Sequence, residues 1–424
     1  MTAQPPEAAG RAADSTQAPP ARVGTWILPV LLVMASAAVS QGFVRFTFSY
    51  VLPDMTEDIL GSYSMAGLLS AANLGGYLAG VIAVTSLAHR VESTTLLKAG
   101  LSLTVLGLLL VSLAPGPPVL FLGMGMAGLC SAAVWIPIPA IVAVHVPRRH
   151  RGLAFGMATA GAGMSIALTG PVVTLVQRAF GDGAWREVWG VEVAVSAMIL
   201  ALQLLLLKPA GARPADGDPR HHRRKPLRTV LPGATTLLLS YFLYGIGFAL
   251  YTNYLIAALQ EDLGFAPAAA TGVFSLLGLA SIFGGVLGGR VSDACGRRAT
   301  LVVLMVLIGL LALVVPLGWG AAVHASAFTY GLLMMAVGTV LVSYLGDALD
   351  PRNLGAAFGT ATMSLGLAQL VAPPVGGWLA DETGSFDIVF YVSCGAALLA
   401  GLAVCFLPGA GRGAVEGAPR SASM

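Results

Sequence analysis

Residues 208–227 read KPAGARPADGDPRHHRRKPL and carry Lys208, Arg213, Arg220, Arg223, Arg224 and Lys225. On either side the chain is almost continuously apolar, from Trp26 to Leu207 and from Val230 to Leu407. A stretch rich in Pro and Gly, without aromatic or β-branched residues, cannot bury a core and reads as a flexible linker. Two apolar halves around a basic joint predict a membrane protein with two matched bundles and a cytoplasmic connection.

Composition agrees. The chain has 424 residues, 56% of them hydrophobic and only 10% charged, where a soluble domain spends about a quarter on charge. A soluble fold of this length would lack polar residues to cover its surface, and lipid removes that need. Cys130, Cys394 and Cys405 sit in apolar stretches and Cys295 in a short loop, with neither metal-site nor disulfide spacing. The first 25 residues have no basic region leading into a short apolar core, so they read as a tail and not a signal peptide.

At about 20 apolar residues per span, twelve helices are expected: 26–52, 64–88, 94–114, 119–146, 152–178, 186–207, 231–259, 266–289, 299–317, 321–347, 353–378 and 386–407. Pro53-Asp54 and Asp350-Pro351 are among the expected breaks. The organisation is therefore a disordered cytoplasmic tail (1–25), a six-helix bundle (26–207), a basic linker (208–230), a second six-helix bundle (231–407) and a second tail (408–424). Of the 23 Lys and Arg residues, Arg178 and Arg186 fall on one side, Arg45 lies inside a helix, and the rest flank the other side. Positive charge collects on the cytoplasmic side, so an inner-membrane protein with both termini cytoplasmic is expected.

The halves repeat. Residues 154–159 (AFGMAT) match 357–362 (AFGTAT), and the offset persists through Gly163 with Gly366 and Pro171 with Pro374. Two six-helix repeats joined by a basic loop predict a transporter with its site between the halves at mid-membrane.

Residues 285–298, GVLGGRVSDACGRR, hold Gly289, Asp293, Gly296, Arg297 and Arg298. This resembles the loop signature of the major facilitator superfamily, departing from it at Ala294. The resemblance implies that these residues gate the inner side. By pseudo-symmetry Asp293 is expected to face the start of the fifth helix near Gly152, with Arg148, Arg149 and Arg151 close by. The first-half copy falls at 88–93 (AHRVES) and lacks the Asp. The first helix, GFVRFTFSYVLPDM from Gly42, is similar to a stretch of the bacterial YbfB/YjiJ-like facilitators. Gly161 and Gly170-Pro171 partly match a fifth-helix pattern of proton–drug exchangers, whereas the fourth-helix Arg of many proton-driven facilitators is replaced by Met124.

Arg45 is the one Lys or Arg well inside a predicted span, and an intramembrane charge is a functional candidate by default. Gln41 and Ser49 share its helix face at four-residue spacing. Arg45 can serve an anionic substrate group or a coupling carboxylate; it can also be a structural donor or snorkel outward. Asn73 and Tyr77, with Ser70, line one face of the second helix, as a cavity wall or as helix–helix hydrogen bonds. Tyr241, Tyr244, Phe248 and Tyr251 form a stripe on the seventh helix, followed by Asn253, and read as a substrate face or as core packing. Gln369 is a further polar mark on the eleventh helix. Asp54 at the outer mouth and Glu192 within the sixth helix are the acids available for coupling, though Glu192 falls on a helix expected to be peripheral.

Gly123-Met-Gly-Met-Ala-Gly128 fits a dinucleotide fingerprint by letters but lies inside an apolar span, where it reads as a helix-packing face. His221 to Lys225 reads as a topology signal beside anionic lipid, so no nucleic acid partner is expected. None of Lys98, Lys208 and Lys225 ends an ATP-binding loop, and the spans hold no His except near their ends, at His145 and His324. An enzyme, a cofactor and a metal are therefore not expected. The expectation is a monomeric secondary transporter in the lipid bilayer. It moves a small organic solute, with Arg45 favouring a carboxylate, and is coupled to a proton. A proton-driven exporter of amphiphilic compounds and a transporter-like sensor are the alternatives.

Overall fold

In lipid every backbone polar group must be satisfied internally, and long apolar segments without β-barrel alternation do this as helices. The computed structural model describes residues 26–87, 90–147, 150–209, 231, 233–318, 320–349 and 351–408. The linker residues 210–230 and the outer parts of both tails lie outside the described residues. The first bundle holds α1 (Ile27–Leu60), α2 (Tyr63–Leu87), α3 (Ser93–Ser112), α4 (Pro117–His145), α5 (Arg151–Phe180) and α6 (Trp185–Leu206). The second holds α7 (Ala234–Glu261), α8 (Pro267–Cys295), α9 (Arg297–Ala312), α10 (Gly320–Ala348), α11 (Pro351–Thr383) and α12 (Asp387–Cys405). The protein is an all-α membrane protein, with twelve helices among the described residues. Among the described residues, ten are long and apolar enough to cross a bilayer by themselves.

The expected break at Pro53-Asp54 does not occur. The helix runs on to Leu60 through a π-helical turn, Thr56–Leu60, and ends where Gly61 adopts φ 74°. Proline removes one donor, which a membrane helix tolerates; the left-handed Gly61 stops the helix, because that conformation suits a residue without Cβ. α4 is interrupted between Trp135 and Ile138, where Pro137 and Pro139 follow in quick succession.

The helix-packing reading of Gly123 and Gly128 corresponds to what these residues touch. A side chain on Gly128 would strike the backbone of Asn73 in α2, and one on Gly123 would strike Gly107 and Val111 in α3. The six-residue repeat also shares its burial: Ala154 and Ala158 are buried in α5, and their partners Ala357 and Ala361 are buried in α11. Apolar residues such as Ile82, Leu122, Leu175 and Leu205 are exposed on the perimeter, where lipid is the solvent.

The halves meet through α2 with α11, α5 with α8, and α1 with α7. Both the beginning of α1 and the end of α12 lie at one face, here the near face, with the ends of α6 and the start of α7; the other is the far face. From the far face inward, Gly67 abuts Pro373 and Pro374, and Gly366 abuts Leu78. On the other seam Thr174 meets Thr271, Gly170 abuts Ser275, and Gly163 abuts Ser281. Nearer the termini, Gly285 and Gly289 of α8 lie beside Thr339 of their own half, and a side chain added at Gly359 of α11 would meet nothing within 4 Å. The close contacts between the halves thus run from the far face to the middle of the helices.

Candidate substrate site between the halves

α1 changes register just before its charged residue. Ala38–Phe43 is π-helical, and such bulges recur at functional sites. Gly42 lies so close to Ser165 of α5 that no side chain fits there. The next turn presents Arg45, Phe46 and Ser49 to a cavity at the centre of the molecule. Ser70, Asn73 and Leu74 of α2 complete the wall on the first half; Phe248, Ala249, Thr252 and Asn253 of α7 and Gln369 of α11 form the wall on the second.

The Arg45 guanidinium lies 4.7 Å above the centre of the Tyr77 ring, a cation–π contact, and 3.5 Å from Gln41 Oε1. Among the described residues no carboxylate is within 4.0 Å of it. Most of the other polar groups are engaged. Ser70 donates to Asn253 Oδ1 at 2.8 Å, a bond between the halves, and Asn253 Nδ2 donates to the Ala249 carbonyl at 2.8 Å. Asn73 donates to the Met124 carbonyl at 3.0 Å and so also ties α2 to α4.

Of the candidate residues, the structure brings Arg45, Asn73 and Phe248 to the cavity wall, with Gln41 and Tyr77 against Arg45. Tyr244 and Tyr251 lie elsewhere. Tyr244 is buried and donates to the Met334 carbonyl of α10 at 3.1 Å; Tyr251 is buried with its ring stacked on Tyr330, centroids 3.7 Å apart. Three-to-four spacing puts residues near one side of a helix, but the stripe spans enough arc that only Phe248 reaches the cavity. Phe46, Leu74 and Thr252 also line the cavity and carried no sequence signal beyond their type.

Asp54 lies beyond the cavity toward the far face and accepts from Gln177 Nε2 at 3.1 Å. Glu192 is almost fully buried behind α1. Thr47 donates to its Oε1 at 2.5 Å, and its Oε2 has no hydrogen-bond partner among the described residues. Thr47 is two residues from both Arg45 and Ser49, which at about 100° per residue points it away from the cavity. Glu192 and Arg45 therefore flank one helix from opposite sides and form no ion pair.

At the near face Gly296 adopts φ 88° and turns α8 into α9. Asp293 pairs with Arg297 one turn on, and Arg297 Nε also meets Asp347 Oδ2 of α10 at 3.0 Å. Arg298 donates to the Cys405 carbonyl of α12. In this conformation Asp293 is committed within its own half and not to the start of α5. Arg151 is spent on the Ala143 and Val146 carbonyls, and Arg148 and Arg149 lie outside the described residues.

At the far face Asp381 of α11 accepts the Tyr63 and Ser64 backbone N–H groups, at 2.9 and 2.7 Å. A carboxylate at a helix N-terminus satisfies orphan donors and the positive end of the dipole. The Tyr63 hydroxyl donates to Glu261 of α7. No group of three or more His, Cys, Asp or Glu side chains suited to a metal occurs among the described residues.

Twelve helices in two halves, a repeat and a central cavity have counterparts among known proteins. The family model described as "Uncharacterised MFS-type transporter YbfB" matches residues 37–405. The chain belongs to this family of major facilitator transporters. It is 29% identical over 408 residues to mouse monocarboxylate transporter 11, covering 87% of this chain and 85% of the relative. It is 26% identical over 354 residues to the uncharacterised MFS-type transporter YceJ of Bacillus subtilis, covering 82% and 88%. Among solved structures, that of the nucleoside transporter NupG superposes with a TM-score of 0.75 at 11% identity, covering 90% of this chain and 99% of that one. At that identity the likeness concerns the fold. The chain is a membrane transporter of a small molecule and not an enzyme.

Proposed function

We propose that the protein carries a small organic carboxylate across the inner membrane by alternating access, coupled to a proton. The observation that carries this reading is the Arg45 guanidinium, which lines a mid-membrane cavity between the halves with no described carboxylate within 4.0 Å. An ion is costly in low dielectric unless paired, and an anionic substrate supplies the missing charge with charge-assisted hydrogen bonds. The relatives named as monocarboxylate transporters point the same way. The bundles span 26–207 and 231–407, the near face is cytoplasmic, and the conformation described is inward-facing. In this reading Glu192, buried with one oxygen unbonded beside Thr47, carries the coupling proton. Asp54 at the far-face end of α1 is its point of exchange with the outside. Asp293, Arg297 and Arg298 rearrange to close the near face. The protein works as a monomer, since each molecule holds a complete cavity.

The exporter reading lacks a comparable observation, since Tyr244 and Tyr251 are turned into the second half. The test is a pH-sensitive dye inside proteoliposomes, with panels of carboxylates and of amphiphilic neutrals and cations applied outside. A signal with carboxylates that Arg45→Ala abolishes is expected. A signal with amphiphiles alone, indifferent to Arg45→Ala, refutes the proposal.

A further inference from the structure

Most polar side chains on the cavity wall already have partners. Ser70, Asn73, Thr252 and Asn253 each donate to another protein group. Gln369 of α11 does not: it is half-buried on the wall and makes no hydrogen bond with any described residue. A carboxamide has two donors and an acceptor, and at Gln369 no described protein group takes them up. The half of the molecule opposite Arg45 thus holds one uncommitted neutral group, able both to donate and to accept.

We propose that Gln369 is a specificity-determining residue. It hydrogen-bonds a second polar group, a hydroxyl, carbonyl or amide, on a carboxylate whose anionic end sits at Arg45. The inference rests on the carboxylate reading of Arg45. Arg45 belongs to the first half and Gln369 to the second, so a solute with polar groups at both ends bridges the halves as they close. A plain aliphatic carboxylate satisfies Arg45 and leaves Gln369 unpaired. One hydrogen bond of about 0.5–1.5 kcal/mol corresponds to roughly a tenfold preference at its upper end.

The test measures half-saturating concentrations in proteoliposomes for propionate, 2-hydroxypropionate, 3-hydroxypropionate and succinamate. Wild type is expected to favour at least one polar member over propionate by about tenfold. Gln369→Leu should bring that ratio within about twofold, and Gln369→Asn should fall between. Should the Leu variant fail to fold, the Asn variant alone must still lower the ratio. A ratio that survives these substitutions, or a wild type without preference, overturns the proposal for Gln369. If propionate binds wild type and Arg45→Gln equally, the Arg45 reading fails instead, and that outcome is separately visible.

Discussion

The Asp381 carboxylate accepts the backbone N–H of Tyr63 across the seam between the halves, at 2.9 Å. It joins the far-face end of α11 to the first turn of α2 by a charge placed at a helix dipole. Beside it Gly67 is pressed on the Pro373 backbone, so the far face is closed by both electrostatics and close packing.

Asp381→Asn keeps the shape and removes the charge. A charge at a helix N-terminus contributes about 0.3–1 kcal/mol when exposed and up to ~2 when partly buried. The population open at the far face should therefore rise between about twofold and thirtyfold. Distance distributions between spin labels at Glu57→Cys and Glu382→Cys read this; an unchanged distribution contradicts the latch.

Gly67→Val acts on the same seam by volume. Its side chain meets Pro373 backbone atoms, which cannot swing aside as a flexible side chain can. The far face should fail to close, halting turnover while substrate still binds. Binding is followed by thermal-shift stabilisation with substrate and turnover by counterflow. Normal counterflow would show that the seam does not need to close this tightly.

Arg45→Lys retains charge but loses the planar fork that binds a carboxylate bidentately. Carboxylate half-saturation should rise by about tenfold or more, and Arg45→Gln should abolish the response, consistent with about 1.5–3 kcal/mol for a hydrogen bond to a charged group. Equal behaviour of all three proteins in the dye assay would make Arg45 structural.

Glu192→Gln cannot gain or lose a proton, yet preserves the acceptor for Thr47. Substrate counterflow should persist while substrate-driven proton movement disappears and the pH dependence of uptake flattens. Intact proton movement would remove Glu192 from the coupling path.

Tyr251 separates packing from binding. Its ring stacks on Tyr330 and meets Phe390 edge-on. Tyr251→Phe should leave transport within about twofold, whereas Tyr251→Ala, emptying a buried ring site, should cost about 3–5 kcal/mol of stability. A large transport defect in the Phe variant would return Tyr251 to the substrate site.

The helices were legible because hydropathy over about 20 residues is a local property that lipid enforces without reference to partners. Arg45 was legible for the same reason: a cation in an apolar run is conspicuous. The fate of Tyr244 and Tyr251 was not, since helical spacing leaves open which neighbour lies against a given arc. Pro53 misled as a helix break, because composition marks where a donor is missing and not whether the backbone absorbs the loss.

From its residues alone the chain was bound to be a twelve-helix, two-half membrane protein with one cation inside the first helix. Burial cost and the repeat act residue by residue along the sequence, so no tertiary information was needed. Tertiary structure alone decided that Arg45 and Glu192 lie on opposite sides of α1, and that Asp381 closes the far face while Asp293 turns to Arg297. These outcomes depend on helix rotation and on which seam is packed, which are set by contacts between residues up to 318 positions apart.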